Sequence, residues 1–114
     1  MGNSKKGGFP AVQPKVNYIE IKNGEIDNAT IAWGDSVVWM NHDAVRYTLA
    51  ALTNGVADPT KVWATVTAVG TDDANSSPLV FTWKPGMSKD PQVFGYGLLP
   101  PATAKANLTV KISV

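Results

Sequence analysis

Short segments in which apolar and polar residues alternate recur along most of this 114-residue chain. A period of two places successive side chains on opposite faces of a strand, so each segment predicts a β-strand with one apolar face. Segment 61–69 alternates most regularly. It predicts one face with Val62, Ala64, Val66 and Ala68 and an opposite face with Trp63, Thr65 and Thr67.

Turn signals separate these segments. Asn23-Gly24 predicts a tight turn, and Asn54-Gly55 together with Asp58-Pro59 predicts a loop. A strand with Leu79, Phe81 and Trp83 on one face ends at a Pro-Gly pair. The predicted strands lie at 16–21, 29–33, 36–41, 45–52, 61–69, 79–83, 92–98 and 107–114, the last with Leu108, Val110, Ile112 and Val114 inward. About eight short strands at this spacing predict an all-β sandwich or barrel.

Composition narrows the classes of partner. The formal net charge is +1, so charge favours neither nucleic acid nor an anionic membrane. No apolar run approaches the roughly 20 residues that a membrane-spanning helix needs, and we expect no membrane insertion. The chain has no cysteine, which excludes disulfides and thiolate metal sites within it.

Residues 1–15 differ from the rest of the chain. Gly7-Gly8, Pro10 and Pro14 disfavour a regular element there. We therefore expect a flexible or partner-bound N-terminal arm, followed by one domain over residues 16–114.

Residues 34–49, GDSVVWMNHDAVRYTL, resemble the G-D-x-V-x-W-x-N-x-D-x-x-x-H-T-V signature of cupredoxins, the small blue-copper proteins. Residues 16–33 also resemble the family's opening strand and Asn-Gly turn, and a final V-x-I-x-V strand follows an aromatic strand as in the family. The resemblance covers residues 16–114. It implies a cupredoxin-like Greek-key β-sandwich.

The resemblance also locates the residues that would hold copper. In the family the histidine before the threonine is the first copper ligand, and here that position is Tyr47. Leu98 or a neighbour stands where the cysteine ligand would be. A blue-copper site needs two imidazoles and a thiolate, whereas this chain offers one imidazole, that of His42, and no thiolate. We expect no metal and no cofactor, with the Tyr47 ring filling the volume and its hydroxyl meeting water or a backbone group.

The other polar residues do not predict an enzyme. His42 and Asp43 share a predicted turn, while Asp58, Asp72 and Asp73 lie in other loops, so no zinc ligand set of suitable spacing results. Asp72-Asp73 also lacks the ligand pattern of a calcium loop. No acid, base and nucleophile can be grouped.

Aromatic residues favour protein contacts instead. Trp39 takes a core position. Trp63 and Trp83 fall on alternating strands, where one face looks outward or toward a partner, and core burial is the default for at least two of the four tryptophans. Trp63, Trp83 and Phe9 of the arm are therefore the candidate partner contacts. The first hypothesis is a metal-free structural or interaction module, such as a subunit or decoration protein of a capsid, filament or surface layer. Its arm would add to a neighbouring subunit.

Two alternatives stay open. One is a metal-binding or electron-transfer protein with substituted ligands, using His42 with carboxylates or Met87. The other is a carbohydrate or small-ligand module that uses exposed tryptophans. An extracellular, periplasmic or virion-associated location is favoured over a cytosolic one.

Overall fold

A computed structural model describes residues 14–112 of the protein. The predictions for Phe9, for the rest of residues 1–13 and for Val114 lie outside this range. Nine strands form within it: β1 (Val16–Lys22), β2 (Glu25–Ile26), β3 (Ala29–Ala32), β4 (Ser36–Asn41), β5 (Tyr47–Thr53), β6 (Val56–Val66), β7 (Leu79–Val80), β8 (Gln92–Leu98) and β9 (Lys105–Lys111). No helix among the described residues is long and apolar enough to span a membrane.

The strands form two sheets, which confirms the predicted all-β sandwich. One sheet has the order β2-β1-β4-β7 and the other the order β3-β9-β8-β5-β6. β1 pairs in parallel with β4, and β3 in parallel with β9. Because β3 and β4 belong to different sheets, the short turn between them carries the chain from one sheet to the other.

The core lies between the sheets. Ile19 and Ile21 of β1 and Leu108 and Val110 of β9 are all at most 4% exposed, which confirms the faces that alternation predicted for them. The inward prediction for Ile112 is wrong: β9 ends at Lys111, and Ile112 is 52% exposed. The largest fully buried side chains are Trp39, Tyr96, Ile21, Ile31, Leu49, Leu108, Val37, Val66 and Val110. The Trp39 indole donates its N–H to the Tyr96 hydroxyl at 3.2 Å, so the largest buried ring has its polar atom satisfied.

β6 corrects two sequence predictions. The loop expected at Asp58-Pro59 is a bulge inside β6, because Leu52 pairs with Ala57 while Ala50 pairs with Val62. Asp58 stabilises the bulge by accepting hydrogen bonds from the Thr60 backbone N–H and hydroxyl at 2.9 and 2.7 Å. Proline fits here because β6 is an edge strand and lacks a partner on one side.

A second irregularity turns Trp63 inward. Leu49 pairs with Ala64 and Ala50 with Val62, so Trp63 is an extra residue between two consecutive pairs. Such a bulge redirects a side chain. The Trp63 ring stacks on Tyr96 with centroids 4.9 Å apart, whereas Val62 is 49% exposed. The predicted faces of Val62 and Trp63 are therefore wrong.

The strand predicted over 79–83 is shorter than expected. β7 ends at Val80 because Val80 pairs with Ser36, the first residue of β4, and no further β4 residue remains to pair. Phe81 still packs on the core. Trp83 lies beyond it, where its indole N–H donates to the Ser88 carbonyl at 3.3 Å.

A buried carboxylate fixes the point where the chain enters the first sheet. Asp35 is 2% exposed and accepts hydrogen bonds from the Lys15 and Ala32 backbone N–H groups, both at 3.1 Å, and from the Asn17 amide at 3.2 Å. Burial raises the pKa of Asp35, but the hydrogen bonds outweigh it and hold the pKa below its ordinary value. Lys15, which the sequence assigned to the arm, is thus held at the sheet.

Candidate functional site

Tyr47, which the sequence resemblance aligns with the family's first copper ligand, opens β5. Its hydroxyl donates to an Asp43 carboxylate oxygen at 2.8 Å. The two Asp43 oxygens also accept the backbone N–H groups of Asn23 and Gly24, each at 2.8 Å. The hydroxyl therefore meets a carboxylate, and the prediction of water or a backbone group is wrong. The three-way contact ties the β1–β2 turn to the loop before β5.

A buried asparagine shapes this loop. The Asn41 amide donates to the carbonyls of Val45 and Thr67 at 2.6 and 2.7 Å, and its oxygen accepts the Asp43 N–H at 2.8 Å. Asn41 is 3% exposed, and with these three bonds its burial leaves no polar atom unpaired. Asn41 thereby holds Asp43 where Tyr47 can reach it.

The contact shifts the pKa of both partners. Hydrogen bonds from the Gly24 N–H and the Tyr47 hydroxyl hold the pKa of Asp43 below its ordinary value. The hydrogen bond to Asp43, together with burial, raises the pKa of Tyr47 above its ordinary value. A phenol with a raised pKa is a poor nucleophile and a poor metal ligand, because both roles need the phenolate.

We expect Tyr47→Phe to lower the free energy of unfolding by about 0.5–1.5 kcal/mol, the net value of one hydrogen bond. Chemical denaturation at pH 7 measures this loss.

Asp43→Asn should also reduce the fall in the free energy of unfolding at acid pH, the acid limb of the stability profile. The folded-state pKa of Asp43 is depressed, so its contribution is present above the unfolded pKa of about 3.9 and is lost as pH falls through the folded-state pKa. An unchanged acid limb in Asp43→Asn would contradict this, since Asp35 and Asp58, whose pKa values are also lowered, would then account for all of it.

Leu98 ends β8 as a core residue. It is 2% exposed and pairs with Leu49 of β5, so the structure places it near Tyr47 at the same end of the sandwich. Beside them lies a cavity of about 520 Å³, lined by Arg46, Tyr47 and Thr48 on one side and by residues 99–102 on the other. Its walls carry no imidazole, thiol or carboxylate.

The other candidate metal ligands stay apart. The side chain of His42 is 40% exposed and lies 3.6 Å from Glu20. The Met87 sulfur accepts the Lys84 N–H at 3.2 Å, in the turn after β7 at the opposite end of β4 from His42. Within residues 14–112, no group of three His, Cys, Asp or Glu side chains is placed to hold a metal ion. Asp72 and Asp73 lie in an exposed loop.

The most exposed apolar side chains of the first sheet form a surface that the sequence reasoning did not single out. Val16, Tyr18 and Val80 are 43%, 64% and 58% exposed. Val16 and Val80 are both in register with Ser36, and Tyr18 is in register with Val38. We call this side of the sheet, defined by the exposed residues Val16, Tyr18 and Val80, the outer sheet face; Val38 lies on the same side but is only 7% exposed. The sequence indicates this face only indirectly. Because Ile19 and Ile21 point inward, the alternation in β1 directs Tyr18 outward.

Solved structures with a similar fold include amicyanins. A reduced tryptophan-to-tyrosine variant of amicyanin is 14% identical and aligns with a TM-score of 0.55 over 88% of this chain and 86% of that chain. The Cu(I) form of a methionine-to-alanine variant is 16% identical, with the same score and coverage. The Cu(I) form of a methionine-to-glutamine variant is 15% identical, with a TM-score of 0.54 over 84% and 82%.

The chain matches no protein-family model and no curated protein sequence. Identities of this size establish similarity of fold. Together with the two-sheet topology and the position of Tyr47, they show that the chain has a cupredoxin-like β-sandwich fold whose described residues carry no grouped copper ligands.

Proposed function

We propose that this protein is a non-catalytic, metal-free structural module that works by protein–protein contact and associates with further copies of itself through the outer sheet face. The observation that carries the proposal is the set of exposed apolar side chains on one side of the first sheet, Val16 and Tyr18 of β1 and Val80 of β7, of which Tyr18 is the most exposed. Exposed apolar side chains that lie together on one face are typical of interaction surfaces.

The chemistry of the face supports this role. Tyrosine is enriched at interface centres, because its ring supplies large apolar contact at low entropic cost while its hydroxyl finds a polar partner. The other side of the same sheet packs on the core. The backbone that carries the outer sheet face is therefore already ordered before a partner binds. A subunit or decoration protein of a capsid, filament or surface layer would use such a face, in an extracellular, periplasmic or virion-associated setting.

The test is a charge placed on the face. We expect Tyr18→Lys to weaken self-association at least about tenfold, which corresponds to about 1.4 kcal/mol. Sedimentation velocity over a concentration series measures it. The matched control is Val93→Lys, because Val93 of β8 is 61% exposed on the other sheet. Equal effects of the two lysines would remove the outer sheet face from the proposal.

A further inference from the structure

We propose that a cavity at the β4-start end of the sandwich receives Phe9 from the N-terminal arm of a neighbouring copy. The cavity, which we call the end cavity, has a volume of about 450 Å³. Five apolar or aromatic residues and two polar ones line it: Trp33, Val80, Phe81, Met87, Phe94, Thr82 and Lys84. This volume falls within the roughly 300–1,000 Å³ of ligand pockets in proteins. The inference rests on the proposed function, since it supplies a second contact for the same assembly.

The walls of the end cavity suit an aromatic ring. Phe94 meets Trp33 edge-on with centroids 6.4 Å apart and meets Phe81 at 6.0 Å. Aromatic rings prefer such edge and tilted contacts, so a further ring can extend the same arrangement. Val80 belongs to both the end cavity and the outer sheet face, which makes the two surfaces continuous.

Trp33 supplies a second observation. Its indole N–H is buried and has no hydrogen-bond partner among the described residues. A buried donor without an acceptor destabilises the fold, because it has lost its hydrogen bond to water. A small displacement of the ring on insertion of a segment would allow a backbone carbonyl to accept this N–H, so the cavity gains from an occupant with a peptide backbone.

The position at which the described residues begin suggests which segment occupies the end cavity. The Lys15 N–H is bonded to Asp35, and the Asp35 carbonyl accepts the N–H of the cavity residue Phe81 at 3.1 Å. Thirteen residues precede Pro14, so each copy starts this segment at the rim of its own end cavity. Phe9 is the only aromatic residue in that segment.

The outer sheet face brings a neighbour's cavity to this segment. Phe9 lies six positions before Lys15, and an extended segment spans about 3 Å per residue, so Phe9 can reach up to roughly 18 Å from Lys15. A copy that docks on the outer sheet face lies against Val80, which also lines the end cavity, and this brings a second end cavity within that reach.

The test uses the full chain and the Phe9→Ala variant, with Val12→Ala as the control within the same segment. One readout is the sedimentation mass, and the other is the indole ¹H–¹⁵N resonance of Trp33, assigned with Trp33→Phe. We expect the Trp33 resonance to move with protein concentration in the unmodified chain and in Val12→Ala. In Phe9→Ala we expect this movement to vanish and association to weaken at least tenfold. Met87→Lys, which charges the cavity wall outside the core, should reproduce both effects.

Four outcomes would overturn the inference. An indole resonance that Phe9→Ala does not move excludes the end cavity. A Phe9-dependent resonance that is independent of concentration shows insertion within one chain. Association that persists in Phe9→Ala but is lost in Tyr18→Lys refutes this inference and leaves the proposed function standing, whereas a monomeric unmodified chain refutes both.

Discussion

Trp39→Ala is expected to lower the free energy of unfolding by about 3–5 kcal/mol, the usual cost of removing a buried large aromatic side chain. Trp39 is 0% exposed. The centroid of its ring lies 6.1 Å from that of Trp63 and 5.5 Å from that of Tyr96, and its N–H donates to the Tyr96 hydroxyl. The substitution removes the ring that joins both sheets, and the Tyr96 hydroxyl keeps only the hydrogen bond that it donates to the Asp27 carbonyl at 3.3 Å.

Trp83→Ala is the matched control. The Trp83 indole lies outside the core and bonds only the nearby Ser88 carbonyl, so its loss should cost less than about 1 kcal/mol, as for most surface substitutions. Urea denaturation of both variants measures the difference. Equal losses would contradict the assignment of Trp39 to the core centre.

Gly97→Ala is expected to destabilise the fold by about 1–3 kcal/mol, the usual cost of overpacking. A Cβ at Gly97 would lie 2.9 Å from the Ala104 backbone carbonyl oxygen. That oxygen accepts the Leu98 N–H at 3.0 Å, so it cannot retreat without straining the connection between β8 and β9.

Gly95→Ala separates this effect from the general cost of a methyl group in β8. Its Cβ would meet the end of the Leu52 side chain at 3.0 Å, and a side chain can change rotamer where a carbonyl cannot move. We expect a loss of under about 1 kcal/mol there. Thermal denaturation in parallel compares the two, and a larger loss for Gly95→Ala would contradict the packing described.

The sequence predicted the architecture because local patterns encode it. Alternation placed Ile19, Ile21, Leu108 and Val110 in the core, and the 34–49 signature located β4 and β5. Trp63 could not be placed this way, because its direction depends on a bulge that only the pairing of β6 with β5 defines. The end of β7 was missed for a similar reason, since it depends on where β4 begins.

The site was less predictable than the fold. The resemblance drew attention to Tyr47 and Leu98, and both lie at one end of the sandwich. The partner of the Tyr47 hydroxyl was missed because Asp43 is held by Asn41, whose contacts to Val45 and Thr67 are non-local. The outer sheet face required cross-strand register between β1, β4 and β7, which a single sequence does not contain.

Sedimentation equilibrium of the unmodified chain over a wide concentration range tests the proposed function most directly. Association through the outer sheet face predicts a mass that rises above the 12.1 kDa of one chain as concentration increases, and a Tyr18→Lys variant that stays near 12.1 kDa under the same conditions. A single species of 12.1 kDa at every concentration of the unmodified chain would contradict it.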